Sequence, residues 1–135
     1  MAPKVLKPWG WYQDLYRSSH LVVKIIEVNP HCRLSLQKHQ HRTENWYGVK
    51  GTATCYLSQY DIDPLAPFQY EDLQRYFIRE GEQGYQLFIG RRDVHRLTNE
   101  TDEPIQILEI QTGLCDEEDI EQLEDDFGRA GRQDE

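Results

Sequence analysis

Residues 33–46 have the sequence RLSLQKHQHRTENW. This stretch contains the main signals for both the fold and the candidate site. Apolar and polar residues alternate over residues 33–40, and this two-residue period predicts a β-strand. Gln37, His39 and His41 occupy every second position, so all three side chains can point to the same side of that strand. The sequence therefore predicts a polar cluster on one face of a strand.

Polar side chains that face a protein interior need partners, and a metal ion is one such partner. Imidazole nitrogen, amide oxygen and carboxylate oxygen are all ligands of divalent metals. Glu44 follows a predicted turn at Arg42 and Thr43, so a returning strand would bring its carboxylate back towards His39. His95 starts a later predicted strand and could supply a ligand from across the fold. A hydrogen-bonded polar network without metal is the alternative interpretation.

The remainder of the chain is predicted to be mostly strands. Many short strands separated by turns are typical of an all-β sandwich or barrel. We expect residues 1–20 to form an N-terminal arm packed on the barrel, residues 58–75 a long loop with one helical turn, and residues 116–135 a short C-terminal helix, through Leu123, and a polar tail. The other predicted strands cover residues 21–28, 46–49, 52–57, 76–78, 85–89, 95–98 and 105–111.

Composition narrows the classes of partner. The 135 residues fit one domain, and the net charge of −9, from 24 acidic and 15 basic residues, disfavours nucleic acid and anionic membranes. Cys32, Cys55 and Cys115 are odd in number and form no C-x-x-C motif, which predicts free thiols in a reducing compartment. Because the sequence contains neither a long apolar run nor a signal-peptide core, we expect a cytoplasmic protein.

The spacing of the candidate ligands resembles the motifs of a known superfamily. Gln37, His39, Glu44 and Gly51 have the spacing of the first cupin motif, with Gln37 in place of its first histidine. Residues 84–99, which include His95, have the spacing of the second motif. The resemblance implies a double-stranded β-helix, or jelly-roll barrel. It also favours Gln37 over His41 as the first ligand, because the pair His39 and His41 does not reproduce the motif distances.

A more specific resemblance covers nearly the whole chain. The segments KPWG (7–10), RLSLQKHQHRTENW (33–46), EIQTG (109–113) and 118–129 are similar to the type II phosphomannose isomerase domain. In that family the domain often follows a mannose-1-phosphate guanylyltransferase domain, which this sequence lacks. We therefore expect a stand-alone cupin domain over 1–135, with a separate guanylyltransferase as a candidate partner.

The family resemblance implies a reaction and a cofactor. The reaction is the interconversion of mannose 6-phosphate and fructose 6-phosphate. One divalent metal ion held by Gln37, His39, Glu44 and His95 would polarise the sugar oxygen atoms. Zinc is the first candidate, and manganese, cobalt and iron are the alternatives, since the ligand set does not discriminate among them.

Further residues are candidates for proton transfer and for substrate binding. His41 is the candidate base, with Glu44 as the alternative if it is not a ligand. Arg33 shares strand parity with Gln37 and His39, so it is predicted to line the cavity and to take part in catalysis by holding the phosphate. Arg42 and Lys38 are the further candidates for substrate binding.

Four positions depart from the family pattern. His31 and Asn45 replace a glycine and a histidine, and Gly90 and Arg92 replace a proline and a glycine. Arg92 predicts a turn that does not need a positive φ. None of these changes removes a proposed metal ligand.

Two further expectations concern assembly and alternative functions. Leu34 and Leu36 are predicted to point away from the cavity, so a second subunit or the N-terminal segment should cover them, and we expect a homodimer. The alternative functions are a metal-dependent cupin of another activity, such as an oxygenase, and a non-catalytic cupin that binds a sugar or sugar nucleotide and regulates a partner.

Overall fold

The computed structural model describes residues 2–58, 69–81 and 87–128. These residues form a 3-10 turn at Tyr70–Asp72 and eleven strands: β1 (Val5–Lys7), β2 (Gly10–Arg17), β3 (Leu21–Val28), β4 (Leu36–Lys38), β5 (Arg42–Lys50), β6 (Thr52–Ser58), β7 (Gln74–Arg79), β8 (Leu87–Ile89), β9 (Val94–Thr98), β10 (Ile105–Gly113) and β11 (Glu121–Glu124). One sheet has the order β1-β2-β3-β10-β5-β8 and the other β11-β4-β9-β6-β7, with antiparallel pairing throughout. The predicted all-β fold is confirmed.

The three central strands of the larger sheet, β3, β10 and β5, bury every second residue. Near one end of the sheet the buried residues are apolar, as shown by Ile26 paired with Ile107 and Val28 paired with Ile105. They belong to a core that also contains Trp9, Leu34, Trp46, Ala53, Cys55, Leu57, Ile78, Leu87, Ile89 and Leu97. This apolar core includes residues of both sheets.

Towards the other end of the same strands the inward-facing residues become polar. Lys24 pairs with Glu109, and Gln111 pairs with Glu44. Arg42 lies on β5 two residues before Glu44. The side chains of all five are buried. Buried charged groups are stable only with partners, so this polar half is the part of the interior where a ligand would be bound.

The N-terminal segment belongs to the larger sheet. β1 and β2 extend the sheet beyond β3, and Trp9 lies in the core at 1% exposure. Gly10 allows this close approach, because a Cβ at that position would lie 2.0 Å from the backbone oxygen of Glu27. Residues 5–17 are thus strands of the sheet and not an arm laid across it.

The predicted C-terminal helix is wrong. Residues 116–120 contain a turn at 117–118 and no helix, and β11 pairs with β4 at the edge of the smaller sheet. The Asp119 carboxylate accepts hydrogen bonds from the backbone N–H groups of Gln40 and His41, each at 2.8 Å. Asp119, one of the acidic residues at 116–119, therefore binds the loop at residues 40–41. β11 provides hydrogen-bond partners for the backbone at the edge strand β4, which a helix could not do.

Several other predictions differ from the structure in extent. The strand expected over 33–40 is limited to β4, and β5 begins at Arg42, before the expected start at Trp46. Most of the predicted loop, at 59–68, and part of the strand predicted at 85–89 lie outside the described residues, as does the tail after residue 128. The one helical turn expected within residues 58–75 is found as the 3-10 turn at Tyr70–Asp72.

Leu34 and Leu36 are buried within one chain, at 2% and 1% exposure. Leu34 belongs to the core and does not point away from it. The homodimer was inferred from an apolar face that a second subunit would cover, and these two leucines do not form such a face. The homodimer therefore stays a prediction. In the described part of the chain there is no helix of the length and apolarity that crossing a membrane requires.

Candidate metal centre

The four predicted ligands come from three strands and from the turn between two of them. Gln37 on β4 is the cross-strand partner of His95 on β9, and His39 follows β4 directly. Glu44 reaches them from β5 in the opposite sheet. All four are buried, with exposed fractions between 1% and 3%. The structure thus brings together the set that the motif spacing favours.

Three of these side chains form a compact cluster. Glu44 Oε2 lies 3.3 Å from His39 Nε2, and Glu44 Oε1 lies 3.5 Å from His95 Nε2. One ligand atom from each residue lies within 4.8 Å of the other two. A single divalent ion can be reached by all three, so the cluster could hold a metal.

The hydrogen bonds of the two histidines leave the correct nitrogen for a metal. His39 Nδ1 donates to the backbone oxygen of Asp119 at 2.5 Å, and His95 Nδ1 donates to that of Asp93 at 3.0 Å. Because a carbonyl oxygen only accepts, each Nδ1 carries a proton, and when the ring is neutral Nε2 is the unprotonated nitrogen that can bind a metal. This arrangement orients both rings towards Glu44.

Unsatisfied polar atoms provide a second test of the fit. Gln37 Oε1, Glu44 Oε1 and His95 Nε2 are buried and have no hydrogen-bond partner among the described residues. Such groups are costly unless something binds them. A metal ion would satisfy all three at once, and nitrogen and oxygen donors suit zinc and other divalent transition metals.

The protonation states favour a metal at two of the three clustered residues. Burial lowers the pKa of His39 to about 4, with Arg42 and His95 adding to the effect and Glu44 opposing it. Burial would raise the pKa of Glu44, but His39, His95 and Arg42 together hold it well below its ordinary value. Burial alone would lower the pKa of His95, whereas the Glu44 carboxylate raises it. Near neutral pH, therefore, His39 is neutral and Glu44 ionised.

The turn at residues 90–93 supports both histidines. The Arg92 N–H donates to the backbone oxygen of His39 at 2.6 Å, and the Asp93 carboxylate accepts from the Gly90 N–H at 2.8 Å. Arg92 has φ of 67°, so the prediction that it avoids the left-handed region is wrong. His31, also at a family glycine position, has φ of 58°.

Arg42 is the predicted substrate-binding residue that the structure brings to the cluster. It is 3% exposed, its Nε donates to Glu44 Oε2 at 3.1 Å, and its Nη2 donates to His39 Nε2 at 3.1 Å. A cation beside two candidate ligands can bind an anionic or oxygen-rich substrate.

Arg33 lies elsewhere, which corrects its predicted position in the cavity. Its guanidinium forms two hydrogen bonds with the Asp126 carboxylate, at 2.7 and 2.9 Å, on the surface. The strand is interrupted at residues 34–35, and Leu34 faces the core. The parity argument that aligned Arg33 with Gln37 is therefore wrong.

His41 and Lys38 are also directed away from the cluster. His41 is exposed in the turn between β4 and β5, so it does not share a buried face with Gln37 and His39 as predicted. The Lys38 ammonium lies 3.1 Å from the Glu121 carboxylate on the neighbouring β11. Neither residue is placed for the catalytic or substrate-binding role assigned from the sequence.

Sequence reasoning missed three polar residues beside the cluster: Lys24, Glu109 and Gln111. Glu109 accepts hydrogen bonds from Trp46 Nε1 and Gln111 Nε2, both at 2.8 Å. Trp46 in turn packs edge-on against His95, with ring centroids 5.8 Å apart. A signal was available, because these three residues have the parity of buried positions in otherwise apolar strands.

Comparison with known families identifies the family of this chain. The family model described as "Mannose-6-phosphate isomerase C-terminal" matches residues 1–125. The chain belongs to this family. The resemblance found in the sequence segments is thereby confirmed.

The curated proteins with related sequences are much longer than this chain. The chain is 38% identical over 130 residues to the alginate biosynthesis protein AlgA of Pseudomonas aeruginosa, 33% over 128 residues to the xanthan biosynthesis protein XanB of Xanthomonas campestris pv. campestris, and 32% over 126 residues to a mannose-1-phosphate guanylyltransferase of Salmonella muenchen. These matches cover 93–94% of the chain but only 23–24% of the relatives. The chain therefore spans about a quarter of their length.

Solved structures with low sequence identity show the fold alone. The capsular polysaccharide assembling protein CapF of Staphylococcus aureus superposes over 90% of this chain and 34% of its own, with a TM-score of 0.73 and 14% identity. The oxalate decarboxylase of Lactobacillus farciminis gives 0.69 and 17% over 90% of this chain and 33% of its own. The Schizosaccharomyces pombe Cnp3 cupin domain gives 0.59 and 7% over 76% and 64%. The predicted cupin barrel is confirmed.

Proposed function

We propose that this chain is a metal-dependent isomerase that interconverts mannose 6-phosphate and fructose 6-phosphate. The observation that carries the proposal is the buried cluster of His39, Glu44 and His95 in a member of the mannose-6-phosphate isomerase C-terminal family. Gln37 would complete the ligand set, because its buried Oε1 has no hydrogen-bond partner among the described residues.

The isomerisation moves a proton from C2 to C1 and a hydroxyl proton from O2 to O1. When bound, a divalent ion would supply Lewis-acid polarisation of these oxygen atoms. Zinc is the ion we propose first, followed by manganese, cobalt and iron. The backbone oxygens of Asp93 and Asp119 would keep the two histidine rings oriented, and the buried position of the ligands would limit the access of water.

Arg42 would contribute to substrate binding. Its guanidinium is buried between His39 and Glu44 and can donate hydrogen bonds to a substrate oxygen atom at the same place. Arg33 and Lys38 have carboxylate partners outside this site, so the proposal does not assign them to the substrate.

A coupled isomerase assay after metal analysis tests the proposal. Purified protein loaded with zinc, manganese, cobalt or iron should convert mannose 6-phosphate to fructose 6-phosphate, and a chelator should abolish the conversion. His39→Ala should lose both metal and turnover, whereas His20→Ala, which changes an exposed histidine, should keep both. Unchanged metal content and turnover in His39→Ala would overturn the proposal.

A non-catalytic role is the second candidate. The exposed position of His41 favours it, because the residue predicted to act as base is not at the cluster. In that case the protein would bind a sugar phosphate or sugar nucleotide and regulate a partner. Binding of mannose 6-phosphate without turnover, in the presence of each metal, would support this role over the enzymatic one.

Assembly and location are proposed together with this function. One of the relatives is named as a guanylyltransferase, which supports a separate guanylyltransferase as a partner of a cytoplasmic cupin domain spanning 1–135. A homodimer is proposed as well. Sedimentation of the protein with and without that partner would test both.

A further inference from the structure

Polar atoms without partners at this end of the interior outnumber those that a metal would use. Gln37 Oε1, Glu44 Oε1, His95 Nε2 and Gln111 Oε1 are all buried and have no hydrogen-bond partner among the described residues. A metal ion at the candidate centre accounts for the first three. Gln111 Oε1 remains, and a buried acceptor of this kind requires a donor.

Gln111 lies directly beside the candidate centre. On β10 it is the cross-strand partner of Glu44, and it is 1% exposed. Ile107, Glu109 and Gln111 occupy every second position of β10 and are all buried, so the Gln111 side chain lies on the inner face of the sheet. Paired positions in adjacent strands place side chains about 5 Å apart at Cβ. Gln111 therefore adjoins a candidate metal ligand.

The orientation of the Gln111 amide follows from its partner. Its nitrogen lies 2.8 Å from Glu109 Oε2, and a carboxylate of this kind accepts hydrogen bonds. The NH₂ group must therefore face Glu109, which leaves the amide oxygen directed elsewhere. Glu109 is itself held by Trp46 Nε1 at 2.8 Å and paired across the sheet with the buried Lys24. The position of the free acceptor is thus determined by the surrounding residues.

We propose that Gln111 Oε1 accepts a hydrogen bond from a hydroxyl group of the bound substrate, close to the reacting carbons. This inference rests on the proposed function, since an open-chain sugar phosphate carries hydroxyl donors next to the carbons that a metal at this centre would polarise. Glu109 is the positioning residue that presents the amide oxygen. Gln111 would thereby select substrates that bear a hydroxyl at this place.

Gln111→Met tests the inference, because methionine keeps the length of the side chain and removes the acceptor. Gln106→Met is the matched control on the same strand, since Gln106 lies on the opposite face and donates to Glu27 at 2.9 Å. Metal content and thermal unfolding are measured first. Both variants should hold as much metal as wild type, while kcat/KM for mannose 6-phosphate should fall about tenfold or more in Gln111→Met only.

The outcomes separate this inference from the proposed function. An active wild type with a metal-loaded Gln111→Met of equal kcat/KM would overturn the inference alone. A wild type that binds mannose 6-phosphate by calorimetry without turning it over would overturn the isomerase, and about tenfold weaker binding by Gln111→Met would still support the inference. No binding by wild type would overturn both.

A second variant covers the case in which Gln111→Met does not fold. Gln111→Asn keeps the amide but shortens the side chain, so the oxygen no longer reaches the same place. The same loss of kcat/KM, or of binding, is expected with metal retained. Activity and binding equal to wild type would count against the inference.

Discussion

Arg42 and Glu44 lie two residues apart on β5, and Arg42 Nε donates a hydrogen bond of 3.1 Å to Glu44 Oε2. The same guanidinium donates to His39 Nε2 at 3.1 Å. Glu44 and His39 are also the residues that would bind a metal, so the arginine and the ion would share these two residues and would compete for His39 Nε2. Two cations cannot occupy one small buried space without mutual repulsion.

Arg42→Met should therefore tighten metal binding. Methionine fills similar space without a charge or a donor, so the metal dissociation constant should fall roughly tenfold, which corresponds to about 1.4 kcal/mol. Competition with a chelator of known affinity measures this constant. Arg33→Met is the control and should leave it unchanged, because Arg33 is paired with Asp126 on the surface. Weaker metal binding by Arg42→Met would show that the arginine supports the site.

The pKa of His39 predicts how stability without metal depends on pH. Burial lowers this pKa from 6.5 to about 4, so between these values the unfolded chain binds a proton at His39 that the folded chain does not. The free energy of unfolding must then fall as the pH falls through this range. The contribution of His39 is fully present above pH 6.5 and is lost progressively towards pH 4.

The measurement compares wild type with His39→Gln, which cannot titrate at this position. In chelator, the stability of wild type relative to the variant should decrease by up to about 3 kcal/mol between pH 7 and pH 4. Denaturant unfolding at several pH values gives this difference. Groups distant from residue 39 contribute equally in both proteins and cancel in this difference. A difference that does not change with pH would contradict a buried, neutral His39.

Gln37→His should strengthen the metal site. Imidazole is a better ligand than an amide oxygen for zinc and the other divalent transition metals. Position 37 is paired with His95 and faces the cluster, so we expect a metal dissociation constant roughly tenfold lower. Titration of the apo-protein against a competing chelator tests this. If Gln37→His and wild type bind metal equally, residue 37 is not a ligand.

Arg92→Gly should stabilise the protein. Arg92 has φ of 67°, a region that costs a non-glycine residue about 1–2 kcal/mol, whereas glycine adopts it readily. Allowing for the entropy that glycine adds to the unfolded chain, the net gain should be about 0.5–1 kcal/mol. The backbone hydrogen bond to His39 does not depend on the side chain. Denaturant unfolding measures the change.

Arg91→Gly provides the control for that substitution. Arg91 is the neighbouring residue in the same turn and does not have a positive φ. Glycine there should cost about 0.5–1 kcal/mol. Equal effects of both substitutions would show that the left-handed conformation of Arg92 is not strained.

Local sequence signals were sufficient for part of the fold. The apolar, β-branched composition of residues 21–28 predicted the limits of β3 at Leu21–Val28, and the start of β10 at Ile105 was also predicted. Period-two alternation, in contrast, failed over residues 33–40. The chain is irregular at 34–35, and no residue there breaks the alternation, so only the pairing of β4 with its neighbours reveals the interruption.

The candidate ligands could be predicted from motif spacing, and Arg42 was a candidate for substrate binding, but the contacts of Arg42 with the ligands were not predicted. Placing the start of β5 at Trp46 hid the shared parity of Arg42 and Glu44, which would have indicated Arg42 as a neighbour of the ligands. The C-terminal helix failed for a tertiary reason. The acidic residue Asp119 binds backbone groups of the loop at 40–41, and this partner is distant in the sequence.

The metal content of the folded protein tests the central claim most directly. After dialysis against zinc and removal of excess ion, wild type should retain about one ion per chain, because the residues that the structure describes contain one such cluster of ligands. Glu44→Gln should retain almost none, and Glu27→Gln, which changes a half-buried carboxylate of β3, should bind as wild type does. A folded wild type that retains no zinc, manganese, cobalt or iron, or a Glu44→Gln variant with undiminished metal, would contradict the account.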